Sequence, residues 1–160
     1  KKNYWSWGIW FKNYKTNNYK MKKILIVNSN YYKEISNNLA SNAKKKLFNV
    51  KFKISILNIP GAFEIPISIR KNINKFDGFV ALGCVIKGQT PHFDLLCSSL
   101  FNSILSLSTK YNKPIGNGVI TALNLNQAKQ RSKTNSNKPN KGSEAANAVI
   151  SILKNGPKKI

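Results

Sequence analysis

His92 is the chain's single histidine, and its neighbours could put it to chemical use. Gly88, Gln89, Thr90 and Pro91 come directly before it, after an apolar run, Phe79–Ile86, that has no polar alternation. Such a run predicts a fully buried strand. Beyond Pro91 the apolar residues Phe93, Leu96, Cys97, Leu100, Ile104 and Leu107 recur at helical spacing and predict a helix to about Thr109. Thr90 is a good N-cap type, and Pro91 suits the first helical position, where an N–H is not needed. Strand, tight glycine turn and helix N-terminus together offer unpaired N–H groups to an anion. The backbone of Gly88, Gln89 and Thr90, with the Thr90 hydroxyl, is therefore a candidate phosphate seat. An imidazole moves protons near neutral pH, so His92 is the candidate proton carrier beside it.

The elements that must position these residues can be read on both sides. Ile24–Val27 predicts a short buried strand that ends at Asn28-Ser29-Asn30-Tyr31-Tyr32. The helix after it carries Ile35, Leu39, Ala43 and Leu47 four apart on one face. Phe52–Asn58 predicts a second strand. Two prolines and a glycine in Ile59-Pro60-Gly61-Ala62-Phe63-Glu64-Ile65-Pro66 then force a defined turn, with a helix from Pro66 to Ile73. Ile115–Thr121 predicts the fourth strand, entered through Pro114, and Asn124–Gln130 starts a short helix ending near Arg131. A polar loop over Ser132–Asn140 leads to a last helix opened by Lys141, with Ser143 as its cap and Ala146, Val149, Ile150 and Leu153 facing inward. The tail from Asn155 reads as frayed.

Four strands alternating with helices predict an α/β fold, a three-layer α/β/α sandwich on a four-stranded parallel sheet, flavodoxin-like in topology. Ligands in such sheets bind outside the carboxyl ends of the strands. Tyr31, the segment Ala62–Glu64 and the segment Cys84–His92 all follow strand ends, so they are expected to converge.

Composition sets the outer bounds. The 160 residues, 41% hydrophobic, suit one domain and not two. Residues 1–20 carry all three tryptophans and no periodicity, while Met21 stands directly before a strand. We read 1–20 as an extension with a mobile or loosely docked character, and 21–160 as the domain. No apolar run approaches the ~20 residues that span a bilayer. Cys84 and Cys97 form no CxxC pair, and one histidine leaves too few partners for a zinc cluster, so no metal is expected. Two cysteines without a secretory segment point to a reducing, cytoplasmic compartment. The formal net charge is +22, but only Arg70 and Arg131 among the 27 basic residues are arginines. Scattered lysines fit a solvated surface better than a sequence-reading interface, which favours arginine forks. No specific nucleic-acid partner is expected.

Two stretches carry a resemblance. ALGCVIKGQTPHFD (residues 81–94) and IPGAFEIP (residues 59–66) resemble, in the same order, the two signatures of the lumazine synthase family. The resemblance implies condensation of a ribityl-substituted diaminouracil with dihydroxybutanone phosphate to dimethyl-ribityllumazine, without a cofactor. It implies that His92 carries protons and that Tyr31 stacks on the pyrimidine ring. Ala62, Phe63 and Glu64 would hold the uracil and ribityl parts through the backbone, with Cys84, Val85 and Ile86 at the neighbouring strand end. Asn117 would reach the pyrimidine site of an adjacent subunit. Arg131, also from a neighbour, would bind phosphate beside Gly88, Gln89 and Thr90, with Lys141 as a second cation. The implied partner is a second copy of the chain: a pentamer or a multiple of one, with sites between subunits. Riboflavin synthase is the further partner implied. The chain departs from the pattern at Asn30, where many members have arginine, and at Ser98-Ser99, where many have Asn-Glu.

Three other readings stay open at this level. Cys84 and His92 could form a cysteine hydrolase, although a thiol inside an apolar strand is ordinarily inert. The basic chain could be a non-enzymatic shell that gathers nucleic acid. It could also be a family member that binds flavin-like ligands with little turnover.

Overall fold

The structure is a computed structural model that describes residues 21–134 and 139–155. The expectations placed on residues 1–20, on the middle of the Ser132–Asn140 loop and on the end of the tail lie outside the described residues.

Among the described residues four strands form a single parallel sheet: β1 (Lys23–Ser29), β2 (Lys53–Ile59), β3 (Gly78–Ile86) and β4 (Ile115–Ala122), in the order β2-β1-β3-β4. Helices α1 (Lys33–Asn49), α2 (Ile65–Asn72), α3 (His92–Tyr111), α4 (Leu125–Ser132) and α5 (Lys141–Lys154) complete the fold, with a short 3-10 turn at Ala62–Glu64 before α2. This is the three-layer α/β/α arrangement that the alternation of elements predicted.

Two cores lie on the two faces of the sheet. Ile35, Leu39, Ala43 and Leu47 of α1 pack with Ala145, Ala146 and Val149 of α5 over Ile24, Ile26, Val80 and Leu82. On the other face, Ile65 and Ile69 of α2 and Leu100 and Ile104 of α3 cover Leu25, Val27, Phe79 and Ala81. The central strands β1 and β3 are buried on both sides, which is why they read as unbroken apolar runs. At Gly116 in β4 a Cβ would meet the carbonyl oxygen of Ala145, so only glycine lets α5 lie this close to the edge strand.

The helix starts differ from expectation in two places. Pro91 holds the cap position of α3, and its carbonyl accepts from the N–H groups of Asp94 (3.1 Å) and Leu95 (3.2 Å). Thr90 therefore lies one residue too early for its hydroxyl to reach the helix donors, and it does not cap. At α5 the cap is Asn140, not Ser143. The Asn140 Oδ1 accepts from Gly142 N (2.9 Å) and Ser143 N (3.3 Å), which places Ser143 already inside the first turn.

Candidate active site

The order β2-β1-β3-β4 puts a topological switch point between β1 and β3, where the chain leaves β1 toward one side and β3 toward the other. A crevice forms there at the carboxyl ends of the strands. In this chain it is a cleft of about 310 Å³, and Tyr31, Ala62, Phe63, Cys84, Val85, Ile86 and His92 all line it. The convergence expected from strand ends is thus observed for these residues, far apart in sequence, while Glu64 and the Gly88–Thr90 turn are not among the cleft's lining.

Each wall follows from its local backbone. After β1 the chain turns at Asn30, whose N–H donates to the carbonyl of Ile59 (2.8 Å) and ties this turn to the end of β2. Tyr31 projects from the turn with 73% of its surface exposed. Its ring meets Tyr32 edge-on, with centroids 5.0 Å apart. Opposite, Pro60 and Gly61 lead into the 3-10 turn. Ala62 is buried, while Phe63 is 71% exposed and is no core residue. The carboxylate of Glu64 folds back over the turn, so that its Oε2 lies 2.8 Å from where a Cβ on Gly61 would stand. A side chain at position 61 would push that carboxylate away.

The third wall is the end of β3. Cys84 is buried beneath the cleft, and burial pushes its thiol up to about 11. Burial makes this thiol harder still to ionise than an ordinary one, which counts against the cysteine-hydrolase reading. Beyond Ile86 the chain opens into the exposed turn Gly88-Gln89-Thr90. Lys87 N donates to the Ala122 carbonyl (2.9 Å) and ends the ladder. Among the described residues, no carbonyl takes the N–H groups of Gly88, Gln89 or Thr90. The Lys87 ammonium spans this turn to the Asp94 carboxylate at 3.6 Å, an exposed pair of little energetic weight. His92 stands exposed in the first turn of α3, between these free donors and the cleft.

Asn117, Arg131 and Lys141 are gathered elsewhere. Together with Phe101 and Thr121 they line a separate depression of about 260 Å³ on the β4 side of the molecule. Asn117 Oδ1 accepts from Val119 N (3.1 Å), and the Lys141 ammonium donates to Glu144 Oε2 (2.7 Å). The chain thus carries two clusters of predicted site residues. One is built around an imidazole and the other around an exposed guanidinium.

Residues 21–155 match the family model described as 6,7-dimethyl-8-ribityllumazine synthase. The chain belongs to the lumazine synthase family. The match takes in both clusters, from Tyr31 to Lys141. Similar curated proteins named 6,7-dimethyl-8-ribityllumazine synthase include one of Buchnera aphidicola subsp. Schizaphis graminum. It is 37% identical over 142 residues, covering 85% of this chain and 88% of the relative. Those of Methylorubrum populi and Bartonella tribocorum are each 35% identical. They cover 82% and 84% of this chain, and 80% and 89% of their own lengths.

Three lining residues of this lumazine synthase family member escaped sequence reasoning: Tyr32, Gly61 and Leu96. Leu96 stands four residues after His92 on the helix and belongs to the apolar face already marked, so its place was deducible. Gly61 reads from sequence only as a turn former. Tyr32 follows Tyr31 directly, and nothing in the pattern separates their roles. Burial, then the neighbouring Cys84 and Tyr31, raise the Tyr32 phenol above its ordinary value.

Proposed function

We propose that this chain condenses 5-amino-6-(D-ribitylamino)uracil with 3,4-dihydroxy-2-butanone 4-phosphate to give 6,7-dimethyl-8-ribityllumazine, releasing phosphate and water. One observation carries the assignment of roles: an imidazole stands between a cleft with an aromatic wall and a turn of free N–H donors. The Tyr31 ring offers a stacking face to the pyrimidine. Backbone groups of Ala62, Phe63 and Glu64, and of Cys84, Val85 and Ile86, border the rest of that substrate. Gly88, Gln89 and Thr90 receive the phosphate, which such donors at a helix N-terminus favour.

The chemistry asks for little beyond proximity and proton transfer. The amine adds to the ketone carbonyl and water leaves to form an imine. Phosphate is then eliminated, leaving an enol that becomes a carbonyl; the ribitylamino nitrogen adds to that carbon to close the ring, and a second water leaves. Each step moves a proton between nitrogen, carbon or oxygen, and His92 is the cleft's group suited to that at neutral pH. Holding two reactants in register can account for roughly 7–11 kcal/mol of barrier. General acid–base help adds about a hundredfold or more.

Arg131 binds the phosphate in this reading, with Lys141 beside it and Asn117 at the pyrimidine edge. All three serve the cleft of a neighbouring copy. A guanidinium fork fits two phosphate oxygens at once. The working unit is a homo-oligomer, a pentamer or a multiple of one, with 21–160 as the synthase domain. No helix among the described residues is long and apolar enough to cross a membrane, and Cys84 and Cys97 are both free thiols. Free thiols suit a reducing cytoplasm.

The test is lumazine formation followed by absorbance with both substrates present. The parent is expected to turn over, and His92→Ala to lose about a hundredfold or more in kcat. Turnover that ignores the substitution makes His92 structural. An assembled oligomer without turnover overturns the proposal.

A further inference from the structure

The turn that presents Tyr31 is fastened by a residue that does not line the cleft. Ser36 lies in the first turn of α1 and is buried. Its Oγ stands 2.6 Å from the carbonyl oxygen of Ser29 and 2.9 Å from that of Tyr32. These two carbonyls flank Asn30 and Tyr31. The contact to Tyr32 is the back-bond that a helical serine commonly makes four residues upstream. The contact to Ser29 is different, because it reaches seven residues back to the last residue of β1. A hydroxyl has one proton, so the two oxygens share it or take it in turn.

The same turn is held from its other side by the Asn30 N–H on the Ile59 carbonyl. A ring that is 73% exposed therefore rides on a short turn fixed at both ends and braced by the edge of Tyr32. Alanine has the better helix propensity, and a buried hydroxyl adds nothing to a helix interior. The value of Ser36 lies in what it holds.

We infer that Ser36 is a positioning residue for the pyrimidine substrate, acting through the Ser29 and Tyr32 carbonyls to fix the turn that sets the Tyr31 ring against the cleft. This rests on the reading of Tyr31 as the stacking residue. Without the hydroxyl the turn gains freedom, and binding must order it again. The cost falls on the substrate that stacks there and not on the one held at Gly88–Thr90.

Ser36→Ala, Ser36→Thr and Tyr31→Ala, each as the assembled protein, are compared by steady-state kinetics with one substrate varied at a time. Ser36→Ala is expected to raise KM for the ribitylaminouracil about three- to tenfold, the worth of one neutral hydrogen bond. KM for the butanone phosphate and kcat are expected to stay within about twofold. Ser36→Thr, which keeps the hydroxyl, restores the parent KM. Calorimetric titration with the ribitylaminouracil alone reads the same ratio without turnover. Should alanine unfold the chain, Ser36→Cys fills the site with a poorer donor and is expected to give the same split. Parallel rises in both KM values overturn the inference. So does an unchanged KM in Ser36→Ala where Tyr31→Ala raises it. If Tyr31→Ala itself leaves that KM unmoved, the stacking reading fails and takes this inference with it.

Discussion

Cys84 and His92 line the same cleft, but burial holds the Cys84 thiol protonated at neutral pH while His92 stands in water. Because the folded-state value of Cys84 is raised from 9.0 to about 11, the unfolded chain loses that proton first as pH rises. The unfolded state then binds fewer protons than the folded one, so this group favours unfolding across that window. Stability is expected to be flat with respect to Cys84 below about pH 9 and to fall between about pH 9 and 11. Denaturant titrations at pH 8 and pH 10.5 test this, and Cys84→Ala should lessen the drop. A drop of equal size in Cys84→Ala would assign it to other groups, the similarly raised Tyr32 among them. At this scale the place of His92 just after the Gly88–Thr90 turn, at a helix start, was legible from sequence, because a glycine turn followed by proline marks the junction of strand and helix. Phe63 was legible as a wall only through the resemblance, since by pattern alone an aromatic beside a strand end reads equally as core or as wall.

The helices show how local signals compete. Ser143 and Asn140 both belong to the good capping types, and spacing to the first apolar residue does not choose between them. The choice falls on Asn140 because its amide also donates to the carbonyl of Ser132 at the end of α4. One side chain thus caps α5 and links it to the preceding helix. Asn140→Ala removes two accepted bonds and leaves a buried carbonyl short of a partner. It is expected to destabilise by about 1–2 kcal/mol in denaturant unfolding. Ser143→Ala, which removes no cap, should change little. An equal loss in both would return the capping role to Ser143. Strand β3 was the most legible element, since burial on both faces leaves no polar alternation to confuse the reading. The end of α3 was harder to see: Asn112 adopts a left-handed conformation that stops the helix, and asparagine tolerates it without advertising it.

The whole molecule keeps the two predicted halves of the site apart. The imidazole cleft lies at the β1–β3 switch point, and the Arg131 cluster lies on the β4 side. If neighbouring copies complete each other, His92→Ala and Arg131→Ala oligomers should each be nearly inactive. Mixed oligomers formed by unfolding and refolding the two together should regain activity, because some interfaces pair an intact His92 with an intact Arg131. No recovery in mixed oligomers of the right size would mean that both residues act within one copy, and an active Arg131→Ala oligomer would mean that Arg131 is not required.

Periodicity, turn residues and two signature stretches were enough to determine the parallel α/β fold, the strand ends that carry the cleft, and the family. These are local or additive properties: a buried strand must be apolar, and a tight turn before a helix needs its glycine. Tertiary structure alone decided that Asn140 caps α5 and that Ser36 fastens the Tyr31 turn. Each depends on which groups distant in sequence come within a few ångströms and exclude water. Spacing along a chain does not report that distance, because the crossovers that fold the sheet set it.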